Sequence, residues 1–171
     1  MPHLRRPIIH ASAVLALAVI LTGCSTGSHA RYPVAGSSDT VSDTDAANEE
    51  ALLSYVEAER ATIPTVLATY PGLYSTMEIN GSLKEQDGTR GLPAGTYSVV
   101  FYDYTYAAAM DWSLTMDALD GQAGAIDTLC DSTLFPAMKK FGVTGPMSVV
   151  YSYGDGRSKF GSMWSHTCSD Y

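Results

Sequence analysis

Basic residues are scarce in this chain. Ten lysines and arginines stand against eighteen aspartates and glutamates, for a formal net charge of −8. That balance argues against nucleic acid, whose phosphates are met by clusters of Lys and Arg. Cysteine is scarce too, with three in 171 residues and none in a CxxC spacing, so a thiolate zinc site has no signature. No apolar run reaches the roughly 20 residues of a membrane-spanning helix. There is no GxSxG elbow and no DxDxDG calcium ladder. Of four histidines, only His166 lies beyond the N-terminal region. No catalytic residue, metal site or cofactor is expected from these motifs.

What is present begins with an address. Arg5 and Arg6 precede an apolar stretch from about Ile8 to Leu21, and a basic head, a short apolar core and small residues before a break predict a secretory signal peptide over 1–23. Leu21-Thr22-Gly23-Cys24 resembles the bacterial lipobox. The resemblance implies diacylglycerol transfer to Cys24 and cleavage before it. Two acyl chains anchor stably where one is marginal, so the expected location is the cell membrane, facing outside the cytoplasm. Cleavage would remove Arg5 and Arg6, leaving eight basic and eighteen acidic residues, a charge of −10. Such a surface disfavours adhesion to anionic headgroups; the lipid, not the surface, is the expected membrane contact.

Residues 24–46 are rich in Ser, Thr, Gly, Ala and Asp and bury too little to offset ordering entropy. As a flexible tether they would reach about 25 Å root-mean-square. Residues 47–171 then suffice for one domain.

Within it, Glu49–Leu67 predicts a helix with Leu52, Leu53, Val56, Ile63, Val66 and Leu67 on one face. Asn48 or Asp45 is a candidate cap, and Pro64 is expected to kink or end the regular part. Leu73–Asn80 predicts a strand, with Asn80-Gly81 and Gln86-Asp87-Gly88 as turns. Thr96–Tyr106 is dense in β-branched and aromatic residues and is the strongest strand. From Ala107 to Cys130 the period turns helical, weakened at Gly121 and Gly124. Thr133–Phe141 continues it, with Pro136 in its first turn. Met147–Tyr153 is a strand, and Phe160–Thr167 its hairpin partner. The predicted fold is α+β, in the order helix, strands, helix, strands, with two helical segments packed on one face of an antiparallel sheet of about four strands.

Outside the cytoplasm disulfides persist, and a pairing of Cys130 with Cys168 is the favoured reading. Two separate buried thiols, or a metal pair with His166, are the alternatives. VVYSYGDGRSKFGSMW, preceded by a YDYTY strand and a helix, resembles a family of small Gram-positive bacterial lipoproteins whose C-terminal domain carries no assigned function. Its members share a lipobox, a polar spacer, an initial helix, a Tyr-rich strand, a long helix and a closing hairpin with an xDG turn. Here those are Cys24, residues 25–47, Glu49–Leu67, Thr96–Tyr106, Ala107–Phe141 and Ser148–Thr167. The cysteine pair departs from that pattern, and the resemblance brings no catalytic residue.

Three sets of side chains invite a functional reading. Val99, Phe101 and Asp103 share one face of the Tyr-rich strand; Val100, Tyr102, Tyr104 and Tyr106 share the other. The aromatic cluster of Tyr102, Tyr104, Tyr106, Tyr151, Tyr153 and Trp164, with Tyr97 nearby, is a candidate binding face for a peptide, a glycan or an envelope protein, or else packs beneath the helices. Asp103 and His166 are the titratable candidates for a hydrolase. His166 is expected as an exposed edge residue, and its neighbour Ser165 points to the opposite face. Asp111, Asp117, Asp120 and Asp127 are expected to form a solvated helix face, and Asp155 to serve the turn. The favoured function is a non-enzymatic, membrane-anchored binding module. A hydrolase and an inhibitory or structural module are the alternatives.

Overall fold

The computed structural model describes residues 43–89, 93–158 and 161–171. The segment expected as signal peptide, Cys24 and nearly all of the segment expected as tether lie outside them, as does Phe160. The elements are α1 (Asp43–Arg60), α2 (Ile63–Thr69), β1 (Tyr74–Gln86), β2 (Gly95–Tyr106), α3 (Trp112–Asp120), α4 (Ala123–Leu129), a π-helical turn (Cys130–Leu134), α5 (Phe135–Lys140), β3 (Met147–Gly154) and β4 (Trp164–Ser169). The fold is α+β, in the expected order of helix, strands, helix, strands.

The sheet order is β1-β2-β3-β4. β1/β2 and β3/β4 are antiparallel, but the central pair β2/β3 is parallel. The sheet is therefore mixed, not antiparallel throughout. The reason is the connection: residues 107–146 carry three helices across the sheet and return the chain to its starting end, as a parallel pair requires.

Pro64 stands in the first turn of α2, so the expected first helix divides there. α1 starts at Asp43, inside the segment expected as tether, and places Asn48 within the helix. Asn48 does not cap. Its amide donates to Ser98 Oγ (2.9 Å) and its carbonyl accepts from the Thr144 amide (2.8 Å), joining α1 to β2 and to the entry of β3. Leu52 and Val56 face the core, whereas Leu53, one residue and about 100° round the helix, is 49% exposed.

β1 continues through Asn80-Gly81 to Gln86. Gly81 is there for closeness, not for turning: a Cβ would stand 2.7 Å from Val56 Cγ2 and 3.3 Å from Leu52 Cγ. Arg60 fastens the far end of α1 to the same strand, donating to Ile79 O (2.7 Å) and Asn80 Oδ1 (2.9 Å).

Pro136 has no N–H and would clash with the carbonyl four residues earlier. The helix accommodates it with a wider turn, in which the Phe135 amide donates to Cys130 O. Cys130, fully buried, forms a disulfide with Cys168, the Cα atoms 6.5 Å apart. A separation of 38 residues makes this cross-link worth up to roughly 4 kcal/mol in the chain-entropy account.

Candidate functional site

Side-chain alternation sorts each strand into two faces. Met77 and Ile79 of β1, Val100, Tyr102 and Tyr104 of β2, Val149 and Tyr151 of β3, and Trp164 and Cys168 of β4 join one core with Leu52, Tyr55, Val56, Leu119, Phe135 and Met138 of the helices. The helices thus cover one side of the sheet.

The expected aromatic binding face lies on that covered side. Tyr102, Tyr104, Tyr106, Tyr151 and Trp164 are 3–9% exposed and Tyr153 is half-buried, so the six are core rather than surface. They stack across the strands: Tyr102 on Tyr151 at 5.0 Å, Tyr104 on Tyr153 at 4.9 Å. The physical reason is supply. The chain has eleven tyrosines and four phenylalanines, so phenol rings fill the space between sheet and short helices. No buried polar side-chain atom among the described residues lacks a partner. Because the hydroxyls of Tyr104, Tyr151 and Tyr153 bond no described residue, they reach accessible space at the rim of this layer.

Two titratable groups sit within the covered side. Tyr102 donates to Glu59 Oε2 (3.0 Å), and its hydroxyl lies 3.1 Å from that of Tyr55. Burial raises the Glu59 pKa, against the hydrogen bonds from Tyr102 and Tyr55, which lower it. His166 Nε2 lies 2.6 Å from Asp127 Oδ1, with its ring stacked on Trp164. Trp164 Nε1 donates to Asp120 Oδ1 (2.7 Å). Asp120 and Asp127 therefore hold the edge strand β4 to the helices instead of forming a purely solvated face. Asp111 caps α3 through the Ser113 amide; Asp117 is exposed. Asp155 accepts from Trp112 Nε1 (3.2 Å) and from the Arg157 amide (3.1 Å), so it also anchors α3 to the β3–β4 turn.

His166 is thus half-buried and paired, not an exposed edge residue. Asp103 lies on the other side of the sheet. It is aligned with Ser152, which is aligned with Ser165, whereas His166 pairs with the inward-facing Tyr151. The sheet itself separates Asp103 from His166, so the two do not form one catalytic pair.

The other side, which bears no helix among the described residues, is divided in two. At one end Tyr97 is closed over by the C-terminal Tyr171, 6.2 Å between ring centroids, and Tyr97 donates to Pro93 O (3.2 Å). At the other end the sheet stays open, and a groove of about 270 Å³ is lined by Thr76, Glu78, Asp103, Thr105, Ser152 and the glycines and serines of the β3–β4 connection. Glu78 lies directly opposite Asp103 in the β1/β2 pair. Neither carboxylate has a hydrogen bond or ion pair.

No family model, no curated protein and no solved structure matches this chain. Its chemistry has to be read from the groove itself. Asp103 was legible from its odd place in an aromatic strand. Glu78 was not, because its significance comes from the β1/β2 register alone.

Proposed function

We propose that this protein is a lipid-anchored, extracytoplasmic binding module, held at the cell membrane through Cys24, that engages an envelope partner with the helix-free face of its sheet and performs no reaction of its own. The observation that carries this reading is the open groove with two facing, unpaired carboxylates. The lipobox-like Leu21-Thr22-Gly23-Cys24 supports the address. The resemblance to small Gram-positive lipoproteins agrees with the address and adds no residue role. A hydrolase is disfavoured by the placement of Asp103 and His166 on opposite faces.

The test is site-specific photo-cross-linking in intact cells. A photoreactive residue at Thr167, exposed on the helix-free face, is compared with one at Leu114, which is 68% exposed on α3. Discrete adducts from Thr167 alone are expected. Adducts from Leu114 alone, or from neither position, would remove the assigned face. In parallel, Cys24→Ala is expected to shift the protein from the detergent phase to the aqueous phase in phase partitioning. Unchanged partitioning would overturn the anchor.

A further inference from the structure

The outer groove is built in two rows across adjacent strands. The first runs Glu78, Asp103, Ser152 and Ser165, and the second Thr76, Thr105 and Gly154. Strands stand roughly 4.8 Å apart, so the first three groups of the upper row converge within about 10 Å. Gly154 is buried because backbone passes over it where a side chain would otherwise stand. A Cβ there would lie 3.1 Å from Gly161 O, and one at Gly156 would lie 3.7 Å from Thr105 Cγ2. Gly156, Ser158, Gly161 and Ser162, the described lining residues of the β3–β4 connection, therefore form a wall of the groove.

Two features of this row are unusual for a surface that does nothing. Like charges directly opposite in an antiparallel pair repel, yet Glu78 and Asp103 face each other with no ion-pair partner among the described residues. Ser152 is more than nine-tenths buried, and its hydroxyl bonds no residue. Since no sealed polar atom lacks a partner among the described residues, that hydroxyl opens into the groove it lines. Two anionic acceptors and one neutral acceptor thus point into one space.

We infer that this groove binds a primary ammonium group on an alkyl stem, the end of a lysyl side chain presented by the partner. This rests on the reading of the helix-free face as the binding surface. An ammonium has three donors and no acceptor, matching Glu78, Asp103 and Ser152. A guanidinium is a planar fork that favours one bidentate carboxylate, and the acceptors here come from three strands. Calcium takes six to eight oxygens at roughly 2.3–2.6 Å. No group of three or more His, Cys, Asp or Glu side chains suited to a metal occurs among the described residues. The space is also about nine times the ~30 Å³ share of one water, too large for a lone ion and sufficient for an aminoalkyl chain lying against Thr76 and Thr105. The chain's net charge of −8 draws a cation toward the surface, in a salt-dependent way.

The experiment uses the full chain in non-ionic detergent micelles, titrated with Nα-acetyl-lysinamide and followed by amide NMR. Saturable shifts are expected at Thr76, Glu78, Asp103, Ser152 and Gly154, and Nε-acetylation of the probe should abolish them. Asp103→Asn and Glu78→Gln should each weaken binding about tenfold, as loss of a charge-assisted hydrogen bond implies. Both carboxylates lie at the surface, and an unchanged Tm verifies that the variants fold; Ser152→Ala gives a third, uncharged check with a smaller loss. Absence of saturation, an equal response to the Nε-acetylated probe, or occupation by calcium that lysinamide does not displace would each overturn the ammonium assignment. If cross-links from Thr167 persist in that case, the binding face stands and only its ligand chemistry falls. If they are absent as well, both fall.

Discussion

At the residue scale, Glu59 shows how position changes chemistry. It occupies α1 beside other acids that remain in solvent, but its carboxyl is turned under the helix, where it accepts from Tyr102. Burial raises its pKa from an ordinary value near 4.5, against the lowering by Tyr102 and Tyr55. A carboxyl with a raised folded pKa holds its proton more tightly in the folded state. Its contribution to stability is complete below the ordinary value and is lost as pH rises through the raised one. Gln keeps the acceptor for Tyr102 without the charge. Glu59→Gln is therefore expected to gain stability relative to the native chain between pH 4 and pH 7, as read by urea unfolding at both. A difference independent of pH would show that the carboxyl is effectively solvated. Asp103 and Glu78 illustrate the opposite lesson: each is ordinary alone, and only their alignment makes a site.

At the scale of elements, α1 and β1 approach until nothing larger than glycine fits at position 81. Val56 is stiff and nearly fully buried, so it has no room to yield. Gly81→Ala is expected to destabilise the domain by about 1–3 kcal/mol through overpacking, measured as a drop in the urea midpoint with unchanged m-value. A neutral effect would mean that α1 shifts freely over the sheet. Asn80-Gly81 is a turn signal by local rules. The rule lost here because the same dipeptide also satisfies a close crossing of helix and strand, which no local pattern encodes. The parallel β2/β3 pair escaped the sequence for a similar reason: strand direction is decided by where the 107–146 connection returns, not by the strand's own residues. The break at Pro64, in contrast, follows from backbone chemistry and fell where the sequence placed it; near Gly121, where only a weakening was expected, the helix divides.

At the scale of the whole molecule, the core is unusual in being tyrosine-rich, and that gives it an alkaline limit. Burial, followed by the charges of neighbouring phenols, raises Tyr74, Tyr104, Tyr151 and Tyr153 above the ordinary value of about 10. Protons are then bound more tightly in the folded state, so stability is complete below about pH 10 and falls as pH rises beyond it. Most tyrosinate absorbance is expected to appear together with loss of secondary structure, in one cooperative alkaline step. Gradual ionisation in a still-folded chain would show that the stacked rings are wet. The same layer closes one side of the sheet, which is why, among the described residues, the open sheet surface is the one bearing Glu78 and Asp103.

The sequence by itself determined the α+β class, the order of the elements, the strands' two-sided alternation and the expectation of a lipid anchor at Cys24, because these rest on composition, periodicity and short contiguous motifs. Only the tertiary structure decided which side of the alternation became core. Both sides of β2 offered aromatic or β-branched residues, and the helices settled on the tyrosine side, converting an expected binding face into packing. It also decided the partner of each acid: Asp127 for His166, Asp120 for Trp164, Glu78 for Asp103. Those pairings are set by register and by helix placement across tens of residues, distances over which a local pattern carries no information.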